Sequence, residues 1–421
     1  MKYISILLLA LTAVSCAGPA RNIQPQINAL VAARRFDRAL SFLADDPSLY
    51  GKHNGLLYWL DKGMAAQLAG HYQDSIAAFS AAQQKYDELY TRSMTQMAST
   101  WVVNDYAQDY RGDDHEYVLA HVLQALNFAV QGNIDEALVE ARRVDQALDL
   151  INARYKPGQK NVYSDDAFAR FLAGILWEAT GTPEGINDAY IAYTRAMALY
   201  EHPPQVLKDN YAATKAFMEQ GTRPASGKAE VYVFEYTGYA PLKVSDSFPL
   251  PLDSGHITKI SFPRYFDRIS EVRSSRVTAI RGQQERFVDT EIGHDIGGTA
   301  RKILAGRKAM ILAKAGLRPL AKYAAEKAAE ISVRREHGNL PADALNILAS
   351  VYNLATEEAD LRGWQTLPDE IRVAKLVLEP GEYELFMEDL DEHKGLLEKR
   401  PLGRFTFKSG EKKFLISRGS R

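Results

Sequence analysis

Leu57–Gln83 reads LYWLDKGMAAQLAGHYQDSIAAFSAAQ, and this segment carries the strongest structural signal in the chain. Its apolar residues recur at helical spacing on both sides of Gly70, which predicts two helices joined by a tight turn. The small residue Gly63 lets two antiparallel helices approach closely. Tyr72 and Phe79 are large enough to fill the space between that pair and the next.

The same pattern returns elsewhere in the first half of the chain. A second copy runs from Leu126 to Val144, a looser third copy with an enlarged turn runs from Ala173 to Ala196, and a half copy runs from Ala33 to Phe42. The matching positions are Gly132, Ile134, Ala137 and Ala141 in the second copy, and Ala173, Gly174, Ala189, Tyr193 and Ala196 in the third. Such self-similarity indicates stacked helical repeats.

This arrangement of small and large residues is that of a tetratricopeptide repeat (TPR). We therefore expect residues 24–222 to form a TPR-like α-helical repeat array. The alternative is a general α-helical bundle with alanine-rich helices. A repeat array would present a concave surface whose exposed side chains are available to bind a partner.

Strand patterns of period two replace the helical pattern after residue 228. The first is Ala229–Tyr236, AEVYVFEY, and further strands are predicted at 257–262, 276–280, 371–378, 381–386, 404–407 and 413–416. Between them we expect a helix from Ile296 to about Ser332, interrupted near Pro319, and another from Pro341 to about Thr356. The expected fold class is multidomain α and α+β. The helical array is followed, after a linker at 221–227, by an α+β domain with antiparallel strands at 228–421 that ends in a small sheet or sandwich.

The first sixteen residues, MKYISILLLALTAVSC, have the form of an export signal that ends at Cys16, the one cysteine of the chain. Small residues followed by cysteine resemble the lipobox of bacterial lipoproteins, in which the thiol is acylated and the chain is cut before the cysteine. We expect a signal peptide at 1–15, a lipid such as palmitate on Cys16 and a tether at 16–23. The alternative is ordinary secretion with cleavage nearby.

The residues that follow the cysteine point to a location. Ala17 and Gly18 follow Cys16, and no aspartate stands there. In the sorting pattern of enterobacterial lipoproteins this predicts a lipid anchor in the outer membrane, facing the periplasm.

The composition and motifs of the chain argue against several classes of function. The formal net charge is −2, and neither half has the strongly basic balance of a nucleic-acid-binding domain. With Cys16 used as the anchor, the mature chain has no cysteine for a disulfide, a metal site or a nucleophile. The sequence contains no GxSxG and no HExxH motif. No cofactor is expected.

The densest polar cluster is Tyr110–Glu116, YRGDDHE, followed by His121 and Asn127. Its Asp and His residues raise the possibility of a metal or acid–base site. His115 and His121 are six residues apart, so they do not share a helix face well. The favoured interpretation is a structural role, in which Asp113 or Asp114 caps a helix that begins near His115.

Two further groups are candidates for contacts with a partner. Arg142 and Arg143, with Glu140, lie on the second helical repeat. Asp360, Arg362 and Trp364 place an acid, a guanidinium and an indole within five residues. Arg and Trp often anchor interfaces, but they also pin loops onto domains. We interpret the basic helix after residue 296 as packing on the sheet with its basic face in solvent. The alternative is that this face binds anionic lipid or a partner helix.

Several of these segments together look like a family of uncharacterised bacterial (proteobacterial) lipoproteins with TPR repeats. The resemblance rests on the lipobox, the Pro380-Gly381-Glu-Tyr383 strand and four internal motifs. These are Tyr110-x-Gly112-Asp113-Asp114-x-Glu116 with His121 and Leu126-Asn127-Phe128; Ala137-Leu-Val-Glu140-Ala-Arg142-Arg143; Phe168-Ala-Arg170; and Asp360-Leu-Arg362-Gly-Trp364. The family has no assigned reaction. Its members resemble accessory envelope proteins, often encoded beside other small lipoproteins, including ones similar to activators of penicillin-binding proteins.

These observations favour a non-enzymatic, membrane-anchored periplasmic lipoprotein. It is expected to act as a protein–protein interaction scaffold or accessory subunit of a cell-envelope assembly, with protein partners that include other lipoproteins. The alternatives are a hydrolase of envelope polymers or a regulator of peptidoglycan synthesis. A hydrolase predicts a deep pocket with converging carboxylates and histidines of perturbed pKa.

Overall fold

The computed structural model describes residues 23–96, 106, 108–155, 161–221, 227–251, 257–337 and 358–419. The predicted signal peptide, Cys16, nearly all of the tether, most of the linker at 221–227 and the predicted helix after Pro341 lie outside these residues. The described part of the chain combines α-helices and β-sheets, so the fold is mixed α and β.

Helices fill the first half. Their bounds are α1 Gln24–Ala32, α2 Phe36–Leu43, a 3₁₀ turn Pro47–Tyr50, α3 Gly55–Leu68, α4 Tyr72–Gln96, α5 Asp114–Val130, α6 Ile134–Ala153, α7 Ala167–Ala179, α8 Pro183–Leu199 and α9 Gln205–Gln220. Tight turns join α3 to α4, α5 to α6 and α7 to α8, and the turn glycines Gly70, Gly132 and Gly181 have φ between 69° and 81°. Only glycine adopts this left-handed conformation at little cost.

Close helix contacts depend on small residues. A Cβ atom on Gly63 of α3 would lie 2.5 Å from the Phe79 ring of α4, and one on Gly174 of α7 would lie 2.2 Å from the Tyr193 ring of α8. The Ser75 hydroxyl also donates to the Gly63 carbonyl over 2.7 Å. The close helix approach expected at Gly63 is therefore confirmed, whereas Phe79, which was expected between this helix pair and the next, packs against Gly63 inside the pair.

In the described part of the second half, strands precede and follow one long helix along the sequence. Their bounds are β1 Ala229–Thr237, β2 Tyr239–Pro251, β3 Ile257–Arg268, β4 Ser274–Arg281, β5 Gln284–Asp289, β6 Glu291–Asp295, α10 Ile296–His337, β7 Glu370–Leu378, β8 Gly381–Leu390, β9 Leu396–Phe407 and β10 Lys412–Arg418. The first sheet has the order β10-β1-β7-β6, the second has the order β5-β4-β8-β9, and β2 and β3 form a separate hairpin.

The first sheet lies between the helices and the second sheet. On β1, Tyr232, Phe234 and Tyr236 join the core formed with the helices, whereas Val231 and Val233 join a second core between the two sheets. β1 is therefore buried on both faces, which suits its Val- and Tyr-rich sequence.

Strands β2, β5 and β6 were not predicted, and one helix and one strand pairing also differ from the sequence-based expectation. Helix α10 continues through Pro319 to His337 without the expected interruption, because a proline inside a helix removes a single backbone donor and need not end the helix. The strand β10 pairs with β1 in parallel, Tyr232 opposite Phe414, while the other strand pairs are antiparallel in the described residues. Parallel pairing is possible here because the chain between β1 and β10 is long.

Candidate functional site

A cleft opens where the helical half meets the strand half. Its volume is about 280 Å³. It is lined by residues 108–113 before α5, by the β2–β3 hairpin, by α10 and by residues 358–362. We call this space the junction cleft. Four segments that are far apart in sequence form it, so it exists only in the folded chain.

The floor of the junction cleft is an ion pair. The Lys243 ammonium lies 2.7 Å from an oxygen of Asp113 and donates to the Arg362 carbonyl over 2.9 Å. The Tyr265 hydroxyl donates to Asp113 over 3.4 Å. Burial opposes charge here, yet Lys243 holds the pKa of Asp113 well below its usual range, and Asp113 raises the pKa of Lys243. Both groups are therefore charged at neutral pH.

The neighbouring carboxylate of Asp114 ties three elements together. It is completely buried and forms ion pairs with Arg154 at the end of α6 and with Arg307 of α10. The Tyr155 hydroxyl donates to it over 3.0 Å. Burial opposes the charge of Arg307, but Asp114 raises its pKa above the usual value. Asp114 thereby fixes α10 as one wall of the cleft.

Glu116 lies below this ion pair. It joins the motif at Tyr110–Glu116 to the motif at Asp360–Trp364. One carboxylate oxygen accepts from the Tyr110 hydroxyl over 2.8 Å and from the Asp113 amide over 3.1 Å. The other accepts from the Trp364 amide over 2.7 Å. Burial, and then the charge of Asp113, raise the pKa of Glu116 to about 7.

His115 lies beside Glu116 with a ring nitrogen that has no partner in the described part of the chain. The side chain is buried, and its Nδ1 atom makes no hydrogen bond. Burial lowers the pKa of His115 to about 4, so the ring is neutral at pH 7. A cavity of about 20 Å³, bordered by His115, Lys243 and Tyr265, has room for a single water molecule.

The segment after residue 358 closes the cleft from the other side. Arg362 pairs with Asp360 over 2.8 Å and donates to the Gln108 carbonyl over 2.9 Å. Its guanidinium also lies 5.3 Å from the centre of the Tyr110 ring. These contacts hold the segment against the residues that precede α5.

Trp364 links this segment to a buried acid on α3. Its indole donates to the Thr366 hydroxyl over 2.9 Å, and that hydroxyl donates to Asp61 over 2.6 Å. The Tyr50 hydroxyl donates to Asp61 over 2.6 Å as well. Asp61 has no cationic partner in the described residues, and burial raises its pKa to about 6. Asp61 thus holds the 358–367 segment through Thr366, while the Tyr50 hydroxyl and the Gln24 amide also donate to its carboxylate.

The other predicted residues form a separate network inside the helical half. His121 of α5 contacts Glu140 of α6 over 2.8 Å, and Glu140 also pairs with Arg143 over 2.8 Å. The Asn127 amide donates to Ser75 over 2.8 Å. Arg142 lies 4.9 Å from the centre of the Trp177 ring. These contacts join helices α4 to α7, so the residues stabilise the helix stack and do not line the junction cleft.

The structure therefore brings together Tyr110, Asp114, Glu116, Asp360, Arg362 and Trp364, and separates them from His121, Asn127, Glu140, Arg142 and Arg143. Sequence reasoning missed Asp61, Lys243 and Tyr265. A signal existed for Asp61, which is the one acid in a mostly apolar repeat helix. Lys243 and Tyr265 lie on a hairpin whose pairing the sequence did not reveal.

Among the residues that the structure describes, His, Cys, Asp and Glu side chains nowhere form a group of three that suits a metal ion. Within that part of the chain, none of the helices is both long and apolar enough to cross a membrane.

Comparison with known proteins adds no assignment. A scan of the chain against models of protein families gives no match. A search of curated proteins finds no relative either. The geometry of the junction cleft is therefore the basis for assigning a function to this chain.

Proposed function

We propose that the protein is a lipid-anchored scaffold of the bacterial envelope that binds a segment of a partner protein in the junction cleft. The observation that carries this proposal is the composition of the cleft. A floor of paired charges, Asp113 and Lys243, lies beside an aliphatic wall of α10 that includes Leu304 and Ile311. A surface that combines an aliphatic wall with many charged side chains held in place can bind a polypeptide segment through both apolar and polar contacts.

The helical half supports a scaffold role. Gly63 and Gly174 each lie seven residues before a turn glycine, and each packs against an aromatic ring of the next helix. This equivalence supports our proposal that the helix pairs are divergent TPR repeats, in which close helix pairs stack side by side. Repeat arrays of this kind commonly hold partner proteins.

The hydrogen bonding of the acids favours binding over chemistry. Both oxygens of Glu116 already accept hydrogen bonds, and Asp113 is held by Lys243 and Tyr265. A general base needs a free lone pair directed at its substrate. These carboxylates hold the cleft in shape, and a partner would contact the wall and the rim.

A hydrolase of envelope polymers is the second candidate, and one observation favours it. Neutral His115, with its unpartnered Nδ1, lies at a cavity the size of one water molecule, next to Glu116. A hydrolytic role predicts that the purified protein releases soluble fragments from peptidoglycan and that His115→Ala abolishes the release. If the wild-type protein releases no fragments, the hydrolase candidate is excluded.

A test of the binding role is to place a charge on the aliphatic wall. Ile311 is half-buried in the cleft, and Ile311→Glu should reduce partner capture at least about tenfold, because an unpaired carboxylate in an apolar contact costs more than 1.4 kcal/mol. Capture is measured by mild crosslinking in intact cells, pulldown on a C-terminal tag and quantitative mass spectrometry. The matched control is Ile191→Glu on α8, where the isoleucine is 57% exposed and outside the cleft.

The pattern across the two variants decides the proposal. A partner lost from Ile311→Glu and retained by Ile191→Glu supports binding in the junction cleft. Equal capture by the wild type and both variants would contradict it. Circular dichroism of both purified variants shows whether the fold has survived the substitution.

The proposed lipid anchor at Cys16 is tested by a substitution of its own. Cys16→Ser removes the thiol that would carry the lipid, so the protein should lose incorporation of radiolabelled palmitate and remain uncleaved. Membrane fractionation with and without high salt then separates a lipid anchor from electrostatic adsorption. Palmitate labelling that persists in Cys16→Ser would rule out this residue as the lipidation site.

A further inference from the structure

A second groove lies at another place in the fold, between the ends of α1 and α3 and the strands β9 and β10. Its volume is about 330 Å³, and it shares no lining residue with the junction cleft. Three arginines line it, Arg34, Arg400 and Arg418, and no acidic residue does so among the described residues. We call it the arginine groove.

Two of the three arginines have carboxylate partners. Arg34 forms two hydrogen bonds with Glu398, of 2.8 and 2.9 Å. Arg400 donates to Asp389 over 3.0 Å and to Glu235 over 3.2 Å. Their charges are therefore compensated without any ligand.

Arg418 differs from both. It is only 7% exposed and lies beside Tyr236 in the parallel β1–β10 register, on the side of the first sheet that faces the helices. One guanidinium nitrogen donates to the Gly238 carbonyl, and the group lies 4.3 Å from the centre of the Tyr239 ring. Its Nε and Nη1 atoms have no hydrogen-bond partner within the described chain.

A second, half-buried guanidinium adds to the positive charge beside Arg418. Arg268 lies 5.0 Å from the centre of the same Tyr239 ring and donates to the carbonyls of Ala240 and Gln365, not to a carboxylate. Burial, and then the charge of Arg418, lower the pKa of Arg268 to about 10. Burial also lowers the pKa of Arg418.

The residues that the structure describes supply only part of the negative charge needed to balance Arg418 and Arg268. Glu235 can offset the charge of Arg418 only when it is ionised, and it already bonds to Arg400 and Ser275. The C-terminal end of α3, at Leu68–Gly70, lines the groove and carries a partial charge of about −0.5. That is less than two guanidinium charges, and an uncompensated buried charge is costly.

We propose that the arginine groove binds an oxyanion, a phosphate or carboxylate group, at Arg418. The planar guanidinium is suited to both groups, and its Nε and Nη1 hydrogens are the unused donors. The bound anion neutralises the Arg418–Arg268 pair and joins α1 and α3 to the first sheet. This site is independent of partner binding in the junction cleft.

The test is thermal unfolding of the full chain in a non-ionic detergent, with phosphate, acetate or chloride added at equal ionic strength. At ten times the dissociation constant, phosphate or acetate should raise the Tm of the wild type by about 2 °C relative to chloride. A rise with phosphate alone identifies a phosphate site, and a rise with acetate alone identifies a carboxylate site. Equal Tm values in all three salts would overturn the proposal.

Variants assign the effect to Arg418. Arg418→Met should have a higher Tm than the wild type in chloride, because it removes the uncompensated charge, and should not respond to phosphate or acetate. Arg404→Met, at an exposed arginine of β9 outside the groove, should respond like the wild type. An undiminished response in Arg418→Met would refute the assignment. If that variant does not fold, Arg418→Lys is compared by calorimetric titration with phosphate, and an unchanged Kd refutes it equally.

Discussion

Glu116→Ala should lower the free energy of unfolding by about 3–5 kcal/mol. The substitution leaves three buried donors without their acceptor, the Tyr110 hydroxyl and the amides of Asp113 and Trp364, at about 1–3 kcal/mol each. It also removes the side chain that connects the start of α5 with the 358–367 segment. Urea denaturation followed by circular dichroism and by tryptophan fluorescence measures the change.

The control for this substitution is Glu136→Ala on α6. Glu136 is exposed in the first turn of its helix, so its removal should cost less than about 1 kcal/mol. A similar, small loss for both variants would show that the hydrogen bonds of Glu116 do not stabilise the junction. A loss confined to Glu116→Ala is the expected outcome.

Glu235→Gln should remove much of the pH dependence of stability between pH 5 and 8. Glu235 and Asp389 are both fully buried between the two sheets, and they share one arginine, Arg400. Burial, and then the charge of Asp389, raise the pKa of Glu235 to about 8, from an ordinary value of 4.5. In this interval the folded protein keeps a proton that the unfolded chain has lost.

The sign of the effect follows from proton binding. Because the folded state keeps the Glu235 proton, the contribution of this group to stability is greatest below pH 4.5 and falls as the pH rises towards 8, by at most about 1.4 kcal/mol per pH unit. Glutamine resembles the protonated acid and does not titrate, so the variant should be more stable than the wild type at pH 8.

The measurement compares urea denaturation of wild type and variant at pH 5, 6.5 and 8. Other buried acids titrate in both proteins, so the difference between the two curves isolates Glu235. Glu382→Gln, at a carboxylate exposed on β8, should leave the wild-type slope unchanged. A Glu235→Gln curve that is parallel to the wild type would mean that Glu235 is ionised throughout.

Helices and strands whose apolar residues recur at a regular spacing were predicted well. The helix pair around Gly70 and the strands β1 and β7 follow their apolar periodicity, which reports directly on burial. The turn at Gly181 was expected to be enlarged, but it is as short as the turn at Gly70 because α8 already begins at Pro183. Strand β2 was missed because Pro241, Pro249 and Pro251 read as strand breakers. It forms only a two-stranded hairpin with β3, where a proline without an amide donor is tolerated at a free edge.

The sequence singled out individual residues of the candidate site but did not show that they lie together. Glu116 and Trp364 stood out separately, yet they are 248 residues apart in sequence and meet only through packing of the two halves. Lys243 has no local pattern around it, and Arg307 belongs to a basic helix that reads as a solvated face. Local sequence specifies helices and strands, whereas the partners of buried charges depend on the three-dimensional arrangement.

The parallel pairing of β1 with β10 has a consequence for how the chain reaches its native state. β10 supplies one outer strand of the first sheet, and its partner strand precedes it by about 180 residues. Contacts between such distant segments form slowly, and the sheet stays incomplete until the last strand has left the ribosome. Until then one edge of β1 is open to pairing with other strands, so we expect the unfinished chain to be prone to aggregation.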